Sequence, residues 1–256
     1  MFTFASGKNS FKRMRYLLLL SFVLTFNILF AQDSVVFLAY NPVKIQVDGA
    51  FYSTPISTKD GNVVIGSHNK HVYFFNKNGK LLKNFKTGGW IHATPKLLKD
   101  NSIGLGCYDG FFYFFDQMGN LLKKIKPGGF IFTEPLEIGN KLAFGNNKGK
   151  VVFYDPEKDK FSYVKVNKLV HGSPALLSNG EMVIGSNKGR LYFIDSLENL
   201  KATFKTKGWI MHSKPVQVFN GNVVFGSYDN NLYSVSTDGE LVWKFKTDGN
   251  IHCSPL

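Results

Sequence analysis

Cysteine is almost missing: Cys107 and Cys253 are the two in 256 residues. An exported chain with so few thiols cannot rest on a disulfide framework, so a packed core has to hold it. The two stand in different repeat copies, one in a loop and one in an inner-strand segment, which leaves a single bridge between them open. Neither directly follows the N-terminal apolar stretch, so no lipoprotein-type cysteine is available there. Helical periodicity is missing as well, which points to an all-β chain after the N-terminal segment. No Ser/His/Asp arrangement with a recognised spacing, zinc motif, phosphate loop or dinucleotide fingerprint occurs. No catalytic residue and no metal ligand set is therefore assigned from sequence. Nor does any apolar run reach the ~20 residues that span a bilayer.

The longest apolar run, Tyr16 to Phe30, is interrupted by Ser21, Thr25 and Asn27 and preceded by Lys8, Lys12, Arg13 and Arg15. Leu29 and Ala31 occupy the positions a signal peptidase inspects. Residues 1–31 therefore read as a secretory signal, with no transmembrane anchor left after cleavage. Its removal takes the formal charge from +13 to +9, so the mature chain, 32–256, stays basic. Nucleic acid is not the expected partner of an exported chain, and stacking aromatics interleaved with exposed base are not evident.

What is present is a period. Pro55, Pro95, Pro135, Pro174, Pro215 and Pro255 fall 40, 40, 39, 41 and 40 residues apart. Hydrophobic runs end at Gly66, Gly106, Gly145, Gly185 and Gly226, and Tyr73, Tyr113, Val152, Tyr192 and Tyr233 stand seven residues further on. Within a copy, short β-branched and aromatic runs alternate with Asn/Asp/Gly turns, which predicts four antiparallel strands. A sheet of ~40 residues cannot bury both its faces alone, so copies stack, and radial stacking gives a β-propeller. Many of the 25 phenylalanines would then fill the space between blades. The recurrent glycines would allow close backbone approach at a strand end. Residues 45–49 align with an outer strand and Ile251 to Pro255 with an inner one. Five repeats are thus visible in a ring of six to eight that is incomplete at its C-terminal side.

The wording Asn222-Val223-Val224-Phe225-Gly226-Ser227, Asn231-Leu232-Tyr233 and Asp238-Gly239-Glu240-Leu241-Val242-Trp243-Lys244-Phe245 resembles the quinoprotein, or PQQ-like, propeller repeat. The resemblance covers about residues 43 to 256, and no Gly-His or Trp-Asp signature of the WD repeat occurs. The family includes pyrroloquinoline quinone (PQQ) dehydrogenases and the non-enzymatic propeller lipoprotein of the outer-membrane barrel-assembly machinery, both typically eight-bladed. The blade-docking tryptophan of the family is matched only by Trp243; Lys83, Lys123, Ser162 and Ala202 take the equivalent places. There is no Cys-Cys pair of the kind quinone dehydrogenases carry, and no motif places a calcium-binding carboxylate cluster or a catalytic aspartate.

Two sets of side chains recur at fixed places. His92, His171, His212 and His252 stand three residues before the marker proline, with Tyr52 and Phe132 completing the series and Trp90, Phe130 and Trp209 nearby. Around a common axis they would collect at one rim, as spacers between blades, as groups that bind an anionic ligand, or as metal ligands. Asp109 and Asp229 share that rim and read as turn formers. Lys86, Lys126, Lys165, Lys205 and Lys246 recur near the end of the outer strand, as a basic ring facing an acidic partner or as edge protection. The expected function is an exported, non-catalytic binding or scaffold propeller, periplasmic or outer-membrane-associated, that meets protein or cell-envelope components through one rim. The alternatives are a PQQ-dependent oxidoreductase with calcium and a small-molecule sensor at the channel mouth.

Overall fold

The computed structural model describes residues 46–47, 49–166 and 169–255. The expected signal, 1–31, lies outside them. Among the described residues every regular element is a strand, and the strands follow one another as antiparallel neighbours in five four-stranded sheets. The first sheet is β1 (Ile56–Ser57), β2 (Val63–Gly66), β3 (His71–Phe75) and β4 (Leu81–Lys86). The second is β5 (Lys96–Leu97), β6 (Ile103–Gly106), β7 (Phe112–Phe115) and β8 (Leu121–Ile125). The third is β9 (Leu136–Ile138), β10 (Lys141–Gly145), β11 (Lys150–Asp155) and β12 (Lys160–Lys165). The fourth is β13 (Ala175–Leu176), β14 (Met182–Gly185), β15 (Arg190–Ile194) and β16 (Leu200–Lys205). The fifth is β17 (Val216–Gln217), β18 (Val223–Ser227), β19 (Asn231–Val235) and β20 (Leu241–Lys246).

The turns carry the expected chemistry. Between β3 and β4 the Asn76 Oδ1 accepts hydrogen bonds from the amides of Asn78 at 3.0 Å and Lys80 at 2.9 Å. Gly79 then takes the left-handed conformation, φ 78°, that closes the turn. Asp116 and Asp195 do the same work between β7 and β8 and between β15 and β16.

Because side chains alternate across a strand, each sheet offers one face to each neighbour. Val72 and Phe74 of β3 meet Leu105, Tyr113 and Phe115 of the second sheet in one core cluster. Phe112 and Phe114 meet Phe144 and Tyr154 of the third. Val151 and Phe153 meet Ile184, Tyr192 and Ile194 of the fourth, and Leu191 and Phe193 meet Phe225 and Tyr233 of the fifth. The core is thus a series of interfaces between successive blades, and a fully buried phenylalanine in one of them contributes about 1.5–3 kcal/mol.

The recurrent glycines act at these interfaces. A Cβ on Gly66, Gly106, Gly145, Gly185 or Gly226 would overlap Ile91, Ile131, Val170, Ile210 or Ile251 respectively, each from the segment leading into the next blade. In the fifth blade the sizes are exchanged between strands. Where Phe74, Phe114, Phe153 and Phe193 lie opposite Lys83, Lys123, Ser162 and Ala202, the small Ser234 lies opposite Trp243.

Two strand expectations change. The innermost strand of each blade begins just after the marker proline, so Ile251 to Pro255 form no strand. The amide of Ile251 bonds instead to the Ser227 carbonyl at 3.2 Å, which pins the segment to a loop, and proline has no N–H to offer a ladder. Gln46, Val47 and Gly49 also lie outside any strand; Ile45 and Asp48 are outside the described residues. The bridge left open between the cysteines is not formed: both are free, Cys107 buried and Cys253 exposed. Burial pushes the Cys107 thiol up to about 11.

Candidate functional site

After each outer strand the chain crosses one rim toward the blade axis, and the same hydrogen bond anchors every crossing. The amides of Ile91, Ile131, Val170, Ile210 and Ile251 bond to the carbonyls of Ser67, Cys107, Asn146, Ser186 and Ser227 at 3.0–3.2 Å. With this residue turned into the interface, the next one (His92, Phe132, His171, Met211 or His252) is delivered to the mouth. Proline follows the anchored residue by four positions in every crossing except Ile210 to Pro215, where it follows by five. The extra residue is His212, and it sits at φ 59°, in left-handed backbone that a side chain seldom adopts.

That insertion changes the geometry of the mouth. Strict symmetry would keep equivalent residues apart, but the His92 and His212 ring centroids are 5.0 Å apart, His171 and His212 4.8 Å, and His92 and His171 5.8 Å. Three of the four predicted histidines therefore meet. His252 stands beside Tyr228 instead, whose hydroxyl lies 2.6 Å from its Nδ1. A fourth imidazole, His68, joins the cluster with its Nε2 3.3 Å from His92 Nδ1, and Tyr52 flanks both at 4.3 and 5.3 Å between centroids. His68 escaped the sequence reading because its own copies are Tyr108, Asn147, Asn187 and Tyr228. The signal was its fixed place just after the residue that anchors each crossing.

Burial holds the His92 imidazole down to about 4, helped by the neighbouring His212 and His68, and holds His171 down to about 3, helped by His212 and His92. His212 and His68 are lowered too, mainly by burial. The cluster is neutral near pH 7. His171 Nδ1 and Asn187 Oδ1 are buried with no hydrogen-bond partner. As placed, no group of three or more His, Cys, Asp or Glu side chains among the described residues could hold a metal ion.

Residues just before and after the proline reach the axis as well. Glu134 lies 3.3 Å from Lys214, 80 residues away, and 3.1 Å from Lys96, so three crossings are joined by one ion-pair group.

Around the mouth stand the exposed aromatics. Trp90 is 50% exposed, Trp209 53%, Phe130 45% and Tyr52 62%. Trp90 stacks on His68 at 5.2 Å, and Trp209 lies 5.9 Å from Tyr228. Farther out on this rim lie Lys86, Lys126, Lys165, Lys205 and Lys246, all exposed; Lys126 falls one residue beyond its strand. Lys165 pairs across the ladder with Lys150, and Lys205 with Arg190, and like charges placed opposite each other repel. Lys148 and Lys188, in the adjoining loops, add to the same side.

Asp109 and Asp229, on the same rim, direct their carboxyl oxygens into turns. Asp109 accepts from the Gly88 amide at 2.8 Å, the Phe111 amide at 3.0 Å and the Tyr113 hydroxyl at 2.6 Å. Asp229 accepts from Lys207, Asn231 and Tyr233 in the same way. The phenols of Tyr113 and Tyr233 are accordingly raised far above their ordinary value, by burial and then by these carboxylates. Replacing Asp109 with alanine leaves a buried hydroxyl and two amides without their acceptor. A loss of about 1–3 kcal/mol is expected in chemical denaturation, and an unchanged midpoint would remove Asp109 from this structural role.

No family model matches the chain, and no curated protein matches it. Among solved structures it is similar to BamB from Moraxella catarrhalis, with a TM-score of 0.69 and 14% sequence identity over 82% of this chain and 68% of that one. The likeness is one of fold: a β-propeller of four-stranded antiparallel blades.

Proposed function

We propose that this chain is an exported, non-catalytic propeller that docks an acidic protein or envelope component on the rim where the blade crossings meet. The observation that carries this reading is the composition of that rim. Exposed tryptophan and other aromatic side chains stand at its centre, where partner-binding energy concentrates, and an outer belt of lysine and arginine surrounds them. Two cross-strand pairs in the belt, Lys150 with Lys165 and Arg190 with Lys205, place like charges opposite each other, and an anionic partner relieves that repulsion. The propeller fold shared with BamB and the secretory character of residues 1–31 support a place in the envelope, periplasmic or outer-membrane-associated.

The experiment is a photo-crosslinking amino acid placed at Trp209 in living cells, with one at Lys59 on the opposite side as control. An adduct formed at Trp209 alone supports the reading. It should fade with rising salt and disappear in a variant carrying Lys165→Glu and Lys205→Glu. Truncating Trp90 and Trp209 together to alanine should cost the complex at least tenfold in affinity while leaving the melting temperature unchanged. Dye-linked alcohol or sugar oxidation by the purified chain supplied with PQQ and calcium would overturn the non-catalytic reading in favour of the oxidoreductase.

A further inference from the structure

We propose that His92, His171 and His212 form a binding site for one transition-metal ion of the zinc, cobalt and nickel class, with His68 as a positioning residue. The site is independent of the docking role proposed for the rim. Neutral imidazole nitrogens suit these borderline ions. With metal–nitrogen bonds of about 2.0–2.1 Å, ring centroids of tetrahedrally arranged imidazoles lie roughly 5 Å apart. The three separations observed, 4.8, 5.0 and 5.8 Å, bracket that value. The nitrogens do not yet point at a common centre. Closing the site requires the rings to turn about their side-chain bonds until one nitrogen of each faces a shared centre.

Three further observations favour ligation over packing. At the equivalent place in another crossing stands Phe132, so filling this space requires no nitrogen at all. His171 Nδ1 is buried without a partner, a costly state unless something takes the nitrogen. His212 enters the cluster only through an inserted residue held in left-handed backbone, and such outliers collect at functional sites. His68 completes the design. When His92 donates its Nδ1 proton to His68 Nε2, across 3.3 Å, the lone pair of His92 is left on Nε2 and free for an ion. Three protein donors leave a fourth position open on the rim.

The test uses the full mature chain, produced without a polyhistidine tag, stripped with a chelator and titrated with cobalt(II) near neutral pH. One ion per chain is expected, with the strong visible d–d absorption of a low-coordinate imidazole site. Saturating zinc should raise the melting temperature. His171→Phe should abolish the absorption, and His68→Gln should weaken cobalt by about 10–100-fold while keeping its spectrum. If His171→Phe fails to fold, His212→Gly decides the matter, since glycine relaxes at this φ while removing a donor. No saturable uptake, or uptake unchanged in His212→Gly, would overturn the proposal and assign any bound ion to side chains outside the cluster, such as the exposed His252.

Discussion

Gly106→Ala is expected to destabilise the protein by about 1–3 kcal/mol, the usual cost of forcing a methyl into a filled core. The added Cβ would overlap the Cβ and Cγ2 of Ile131, which is fully buried and anchored through its amide to Cys107. Ile131 cannot retreat without breaking that hydrogen bond, and the bond steers Phe132 and the whole crossing. Gly249 is the control, because a Cβ there meets nothing within 4 Å, so Gly249→Ala should be neutral. Pairing Gly106→Ala with Ile131→Ala sharpens the test. The truncation alone opens a cavity and costs about 2–5 kcal/mol. In the double variant the new methyl occupies part of that cavity, so the summed losses should exceed the measured one by about 0.5–3 kcal/mol. Strict additivity in urea denaturation would show that the two atoms do not compete for the same space.

The five glycines show how much of the fold was readable from order alone. Their recurrence, ahead of Tyr73 and its equivalents, implied a close approach, and the structure supplies the branched side chain that each one meets. Strand number, turn chemistry and the phenylalanine interfaces followed from the same 40-residue rhythm, because period-two alternation and turn residues are local properties. Ile251 to Pro255 were misread as a strand because extended segments look alike until hydrogen bonds are assigned, and here they go to a loop.

The mouth was legible only in part. Counting back from proline groups His92, His171 and His212, whose rings do lie together, but the reason differs at His212. It is no structural equivalent of His92; Met211 is, by its place after the anchored isoleucine. An insertion of one residue is invisible to a count from the proline and obvious to a count from Ile210. His68 was hidden because it belongs to a loop series shared with tyrosine and asparagine. Ring contacts across the axis, like the Glu134–Lys214 pair, depend on how blades are tilted, which no local pattern encodes.

Acid should reveal the same cluster. In the unfolded chain His92 and His171 take protons near their ordinary value of 6.5, whereas in the folded protein they resist until about 4 and 3. Below pH 6.5 the unfolded state therefore binds more protons, and stability falls with falling pH until the folded values are passed. The sign is unambiguous: these groups contribute full stability above 6.5 and lose it on the way down. Each pH unit costs up to about 1.4 kcal/mol per histidine, less for His92, which is partly exposed and whose charge water partly screens. Chelator-treated protein should thus lose about 2–4 kcal/mol between pH 6.5 and 4.5, or on the order of 10 °C in melting temperature. The depressed carboxyls of Asp116 and Asp229 have ordinary values below this window and add little within it. His171→Phe removes one of the two main contributors, so its melting temperature should decline with a visibly smaller slope over the same interval. Parallel wild-type and variant profiles would mean that acid enters the fold somewhere other than the mouth.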